Sequence, residues 1–199
     1  ASAPRPDIEP VYLRGGYLHP VFTPGGRRVT EDFPLKHTHH HGIWFPWTKT
    51  EFEGRHPDFW NSAAGTAKVR FAGLERSWSG PVHGGLVVGH EFVDLTGSEA
   101  KVVLNEVWMV RVYPLLGGAR PRWVSDFESV QSCVGKSPLL MPQYRYGGLG
   151  VRGHGDWDHE PDNPTRFLTA NGVADRKAAH ATRARWCHMG GKVDGQLAG

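Results

Sequence analysis

Alternation of apolar and polar positions is the dominant pattern in this chain, and it predicts strands along most of its length. Residues 11–22 alternate and then meet Thr23-Pro24-Gly25-Gly26, a turn that sends the chain back through Val29. Strand patterns follow at 43–47, 67–74, 85–95 and 100–113, with Thr96-Gly97-Ser98 as the hairpin turn between the last two. Residues 51–62 are polar and aromatic without a period and read as an ordered loop, and 114–121 read as a loop containing Gly117-Gly118. Alternation resumes over 123–134, where Val124, Asp126, Glu128 and Val130 share a face that either meets solvent or carries a catalytic carboxylate pair, and Trp123, Phe127 and Cys133 share the other. After a turn region at 137–142, residues 146–152 read as a short strand whose glycines permit close backbone approach. Their spacing does not match a dinucleotide fingerprint, and no helical pattern follows them.

Residues 153–177, with Pro161 and Pro164, are polar and rich in turns, and 175–183 is the only fair helical candidate. A last strand is expected over 182–193, followed by Asp194-Gly195, a type I′ hairpin signal. Only residues 196–199 remain to form its partner. The expectation is therefore a single domain over 1–199 that lacks its C-terminal strands, which a separate segment, a second chain or an oligomeric partner would supply.

One position interrupts the pattern. In 100–113, Val102, Leu104, Glu106, Trp108 and Val110 share a face, and a carboxylate on such a face is costly unless it is paired. Either an arginine on a neighbouring strand forms a salt bridge with it, or it projects into a binding cleft.

Composition agrees with the strand pattern. Gly 26 and Pro 15 make up about a fifth of 199 residues, and eight tryptophans and nine phenylalanines suit β-sheet faces better than long helices. The net charge of +3 is spread along the chain, which gives no basis for nucleic-acid binding. No stretch approaches the roughly 20 apolar residues that a membrane span needs. The opening Ala1-Ser2-Ala3-Pro4-Arg5-Pro6 resembles the small-residue tail around a signal-peptidase site and points to secretion. Cys133 and Cys187 fit neither a Cys-x-x-Cys motif nor a zinc ribbon; they pair or stay as small buried hydrophobes.

The chemistry concentrates in Lys36-His37-Thr38-His39-His40-His41-Gly42-Ile43-Trp44-Phe45-Pro46-Trp47, which holds four of the chain's twelve histidines. Imidazole titrates nearest neutrality among the side chains and is the commonest nitrogen ligand of transition metals, so the stretch fits proton transfer and metal binding alike. If it is extended, His37, His39 and His41 share one face and His40 the other; if it is a loop, all four can converge.

Beyond the histidine stretch, the motifs Gly16-Tyr17-Leu18-His19-Pro20, Asp58-Phe59-Trp60, Asn105-Glu106-Val107-Trp108, Asp126-Phe127-Glu128, Tyr146-Gly147-Gly148-Leu149-Gly150-Val151-Arg152, Arg183-Ala184-Arg185-Trp186 and Gly191-Lys192-Val193-Asp194-Gly195 complete a pattern covering nearly the whole chain. In these the chain resembles the family labelled "methane oxygenase PmoA", a domain of unknown function also written DUF6807. The resemblance implies a mainly β, antiparallel β-sandwich of supersandwich or jelly-roll type with long loops, in a context of sugar metabolism. The label does not transfer as an activity, because the methane monooxygenase subunit is an integral membrane protein. His37, His39 and His40 match the family pattern. Lys36 stands where the family has an acidic residue, and His41 where it has an arginine.

Three functions are compatible with these residues. The first is a carbohydrate-active enzyme, a sugar lyase, hydrolase or isomerase, using acid–base catalysis in an aromatic-lined cleft. It takes a small-molecule or oligosaccharide substrate. Its catalytic residues are His39, His40, His19 and Glu106, and its substrate contacts are His37, His41, Asp58, the Trp60 platform and Arg152. The second is a metal-dependent enzyme with an unspecified transition metal at the histidines. Its cupin form is excluded, because Gly42 and Ile43 stand where a glutamate ligand would follow His37-Thr38-His39. The third is a non-catalytic carbohydrate-binding module.

Overall fold

A computed structural model describes residues 7–115, 117, 121–158 and 165–199. The opening six residues behind the expectation of secretion, together with Gly118, Pro161 and Pro164, lie outside the described residues. The described strands are β1 (Tyr17–Leu18), β2 (Ile43–Trp44), β3 (Ala67–Trp78), β4 (Gly84–Asp94), β5 (Lys101–Leu115), β6 (Arg122–Cys133), β7 (Gly150–Val151), β8 (Arg166–Thr169), β9 (Cys187–Val193) and β10 (Gln196–Ala198), with one helical turn, α1 (Arg176–Ala179), between β8 and β9. The class is as expected: mainly β, antiparallel, with long loops. No helix among the described residues is long and apolar enough to cross a membrane.

The chain forms two compact units, one from residues up to Tyr17 and Trp44–Gly150, the other from Leu18–Ile43 and Val151–Gly199. The two-residue strands pair in the order β1-β2-β7.

Unit 1 is built on the meander β3-β4-β5-β6. Its pattern was legible because one face is buried and the other is not. Ala67, Val69, Phe92 and Leu104 line the buried face, and Phe52, Phe59 and Leu139 from the loops cover it. Burying each such phenylalanine contributes roughly 1.5–3 kcal/mol. On the opposite face Asp126, Glu128 and Val130 of β6 are exposed. The β4–β5 turn is fixed by buried Asp94, which accepts from Thr96 N at 2.8 Å and from Arg55 Nη2 at 3.0 Å. Pro114 lies inside β5 rather than starting a loop. β4 ends at Gly84 opposite Val112, so no β4 residue stands opposite Pro114 and its missing N–H costs no bond on that side.

Unit 2 carries the sheet β10-β9-β8. Asp194 and Gly195 have φ of 50° and 74°, the left-handed pair that a type I′ turn requires, and Gln196 pairs with Val193 across it. Gly191 has no room for a side chain, because a Cβ there would collide with the buried Trp157 indole.

Several elements are shorter than expected. The expected strand over 11–22 reduces to β1, because Pro10–Tyr12 is a 3-10 turn and Gly16 has φ of 72°, outside any extended conformation. The expected strands at 43–47 and 146–152 reduce to β2 and β7, and β9 begins at Cys187 rather than 182. β8 was hidden in the turn-rich stretch. Cys133 and Cys187 are both free and exposed, so they neither pair nor serve as core residues.

Candidate functional site

The histidine stretch is a loop, and the turns within it decide where each imidazole goes. His37 N donates to Pro34 O at 2.9 Å and His40 N to His37 O at 2.7 Å, which makes two successive turns. Phe33 N then donates to His40 O at 3.1 Å and closes the loop, so Asp32 and His41 stand side by side at its neck. These turns replace the alternation of an extended strand. The rings of His37 and His40 stack with centroids 4.8 Å apart, and His39 meets His40 edge-on at 4.6 Å.

His41 is turned inward and fully buried, edge-on to Phe33 at 4.9 Å. Its Nδ1 lies 2.6 Å from Asp32 Oδ1. An ionised carboxylate only accepts, so Nδ1 carries the proton and donates to Asp32. Burial, with smaller contributions from His39, His37, Arg152 and His41, lowers His40 to about 3. It is a neutral imidazole at neutral pH, so of the acid and base roles expected for His39 and His40 it suits the base.

Arg152 is clipped to both feet of this loop. Its N donates to Gly42 O at 2.7 Å, and its O accepts from Glu31 N at 3.0 Å. His19 lies beside Gly42, where a Cβ would fall 3.1 Å from the His19 Cβ, and its Nδ1 is 2.9 Å from Thr30 Oγ1. Unit 2 contains a cavity of about 710 Å³, lined by Glu31, Asp32, Phe33, Pro34, Leu35, Lys36, His37, Arg152, Gly155, Asp156, Asp158 and Arg176. His37 and Arg152 of the expected site therefore share a cavity wall. Asp32, Asp156, Asp158 and Arg176 were not singled out from the sequence, because the cavity gathers them from segments far apart in the chain. Only Asp32 had a local signal, since a loop closed by residues 33 and 40 must set 32 beside 41.

Glu106, Asp58 and Trp60 belong to unit 1. Glu106 is buried on the core face of β5, where Ser129 Oγ and Gln131 Nε2 of β6 donate to its Oε1 at 2.6 and 2.7 Å. His90 Nδ1 of β4 lies 3.4 Å from its Oε2. Burial raises the Glu106 carboxyl, but the polar groups of His90, Ser129, Gln131 and Trp108 around it outweigh burial and hold the group below its ordinary value. Among the described residues no arginine forms a salt bridge with Glu106; Ser129 and Gln131 satisfy its Oε1, whereas its Oε2 and His90 Nδ1 are buried without a hydrogen-bond partner.

Asp58 is similarly occupied. It accepts from Trp60 N, Asn61 N, Asn61 Nδ2 and Thr48 Oγ1 at 2.7–3.0 Å, which organises its loop. Trp60 stacks on Tyr146 at 5.4 Å and tilts against Trp44 at 5.1 Å. Unit 1 has its own cavity of about 680 Å³ beside Asp58, lined in part by Lys49, His56, Gln143 and Tyr144.

Among the described residues, no three His, Cys, Asp or Glu side chains are grouped so as to hold a metal ion. A family model described as a family of unknown function, DUF6807, matches residues 3–199. No curated protein and no solved structure matches the chain.

Proposed function

Since the chain belongs to DUF6807, a family of unknown function, we propose its role from its own residues: unit 2 binds a carbohydrate and acts on it by acid–base chemistry. The supporting observation is that an imidazole, His37, and a carboxylate held by a histidine, Asp32, line one cavity together with Arg152. Proton exchange needs two such groups within reach of one substrate. Asp156 and Asp158 offer acceptors to sugar hydroxyls, and Phe33, Pro34 and Leu35 an apolar wall to the C–H face of the ring. His41, fully buried, is a positioning residue that fixes Asp32. His40, neutral and stacked on His37, holds that ring in place. Glu106 stays outside this site.

The test is turnover of a panel of mono- and disaccharides, followed by NMR of the products. His37→Ala is expected to lower turnover by about 10²–10⁴-fold. His37 is exposed, so its melting temperature should stay within about 2 °C of the parent. Unchanged turnover in His37→Ala would refute the role of His37. Tight sugar binding with no turnover by the parent protein would favour a non-catalytic module.

A further inference from the structure

We propose that the sugar taken by the unit 2 cavity carries an acidic group, a carboxylate or a phosphate, and that Lys36, Arg152 and Arg176 receive it. This rests on the assignment of that cavity as the carbohydrate site. Its wall carries four carboxylates and three permanently cationic side chains, so the formal charge alone favours neither sign of ligand. The pairing within the wall decides.

Three of the four carboxylates already have a partner from the protein. Glu31 accepts from Gly155 N and Asp32 N, both at 3.1 Å, and from Arg28 Nη2 at 3.3 Å. Asp32 accepts from His41 at 2.6 Å, and Asp158 pairs with Arg152 Nη2. Asp156 is the exception, because His154 Nδ1, 3.6 Å from its Oδ2, accepts from Asp156 N at 3.2 Å and offers the carboxylate no donor.

The cations are less occupied. Lys36 and Arg176 are exposed, and neither has a hydrogen-bond or ion-pair partner among the described residues. Arg152 Nε is buried and donates to nothing among the described residues. A neutral sugar would leave the charges of Lys36 and Arg176 to water alone. A carboxylate or phosphate supplies several charged acceptors at once and forms the stronger, charge-assisted bonds with all three.

Isothermal titration with a hexuronate, a hexose phosphate and the parent neutral hexose, at low and at high ionic strength, tests this. At low salt at least one acid is expected to bind about tenfold tighter than the neutral sugar, with the gap narrowing as salt screens the exposed cations. Which acid wins separates a carboxylate from a phosphate. The double variant Lys36→Ala/Arg176→Ala should lose most of the gap while binding the neutral hexose as before. Equal affinity for all three sugars would overturn the acidic-substrate inference and leave the carbohydrate site standing. Binding of none across several hexose families would overturn both.

Discussion

Glu106 shows how a carboxylate on an apolar strand face is held by a neighbouring strand. It occupies a core position opposite His90 on one side and Gln131 on the other, and its Oε1 accepts from two β6 side chains. Glu106→Leu would leave Ser129 and Gln131 without their acceptor and should cost about 3 kcal/mol in urea unfolding. A loss below about 1 kcal/mol would contradict this account. Sequence showed that the carboxylate needed a partner but not which one, because register decides that. His40 makes a second prediction at this scale. Its imidazole falls from 6.5 to about 3 on folding, chiefly through burial. The unfolded chain therefore binds more protons below 6.5, and stability present above that pH is lost as pH falls towards 3. Glu106, also held below its ordinary value, adds acid sensitivity in its own lower range. His40→Gln should flatten the dependence of the urea midpoint on pH between 6.5 and about 4.5, above the ordinary Glu106 value. An unchanged slope there would mean that His40 protonates freely in the folded protein.

Among the elements, those with one strongly buried face were legible and those without one were not. β3 to β6 were placed to within a few residues at most ends because their alternation reports a real core. β1, β2 and β7 are two-residue pairings within loops, and no periodicity can show an element that short. β8 was missed because its four residues sit among turn formers. The most local signal of all, Asp194-Gly195, was fully readable, since a type I′ turn needs two residues at positive φ and few dipeptides allow it. Gly195→Val would force a β-branched residue to φ of 74° and should cost about 1–2 kcal/mol. Amide exchange checks it: Leu197 and Ala198 of β10 should lose protection, while β5 keeps its own. Unchanged exchange in β10 would mean that the turn does not hold the hairpin.

At the scale of the whole molecule, the sequence located the right loop but not the site around it. His37 and Arg152 could be chosen because the histidine stretch is unusual and Arg152 ends a glycine-rich motif. Asp32, Asp156, Asp158 and Arg176 look like ordinary surface charges in a linear reading, and only the return of the chain to the loop through Arg152 gathers them. The central claim is that ligand binds in unit 2 at this cavity and not in unit 1 beside Asp58. Histidine-ring ¹H–¹³C NMR during titration with the tightest-binding sugar tests it most directly, since His37 lines one cavity and His56 the other. The account predicts saturable shifts of the His37 and His40 rings with His56 unmoved. Shifts at His56 with His37 and His40 unchanged would place the ligand in unit 1 and contradict it.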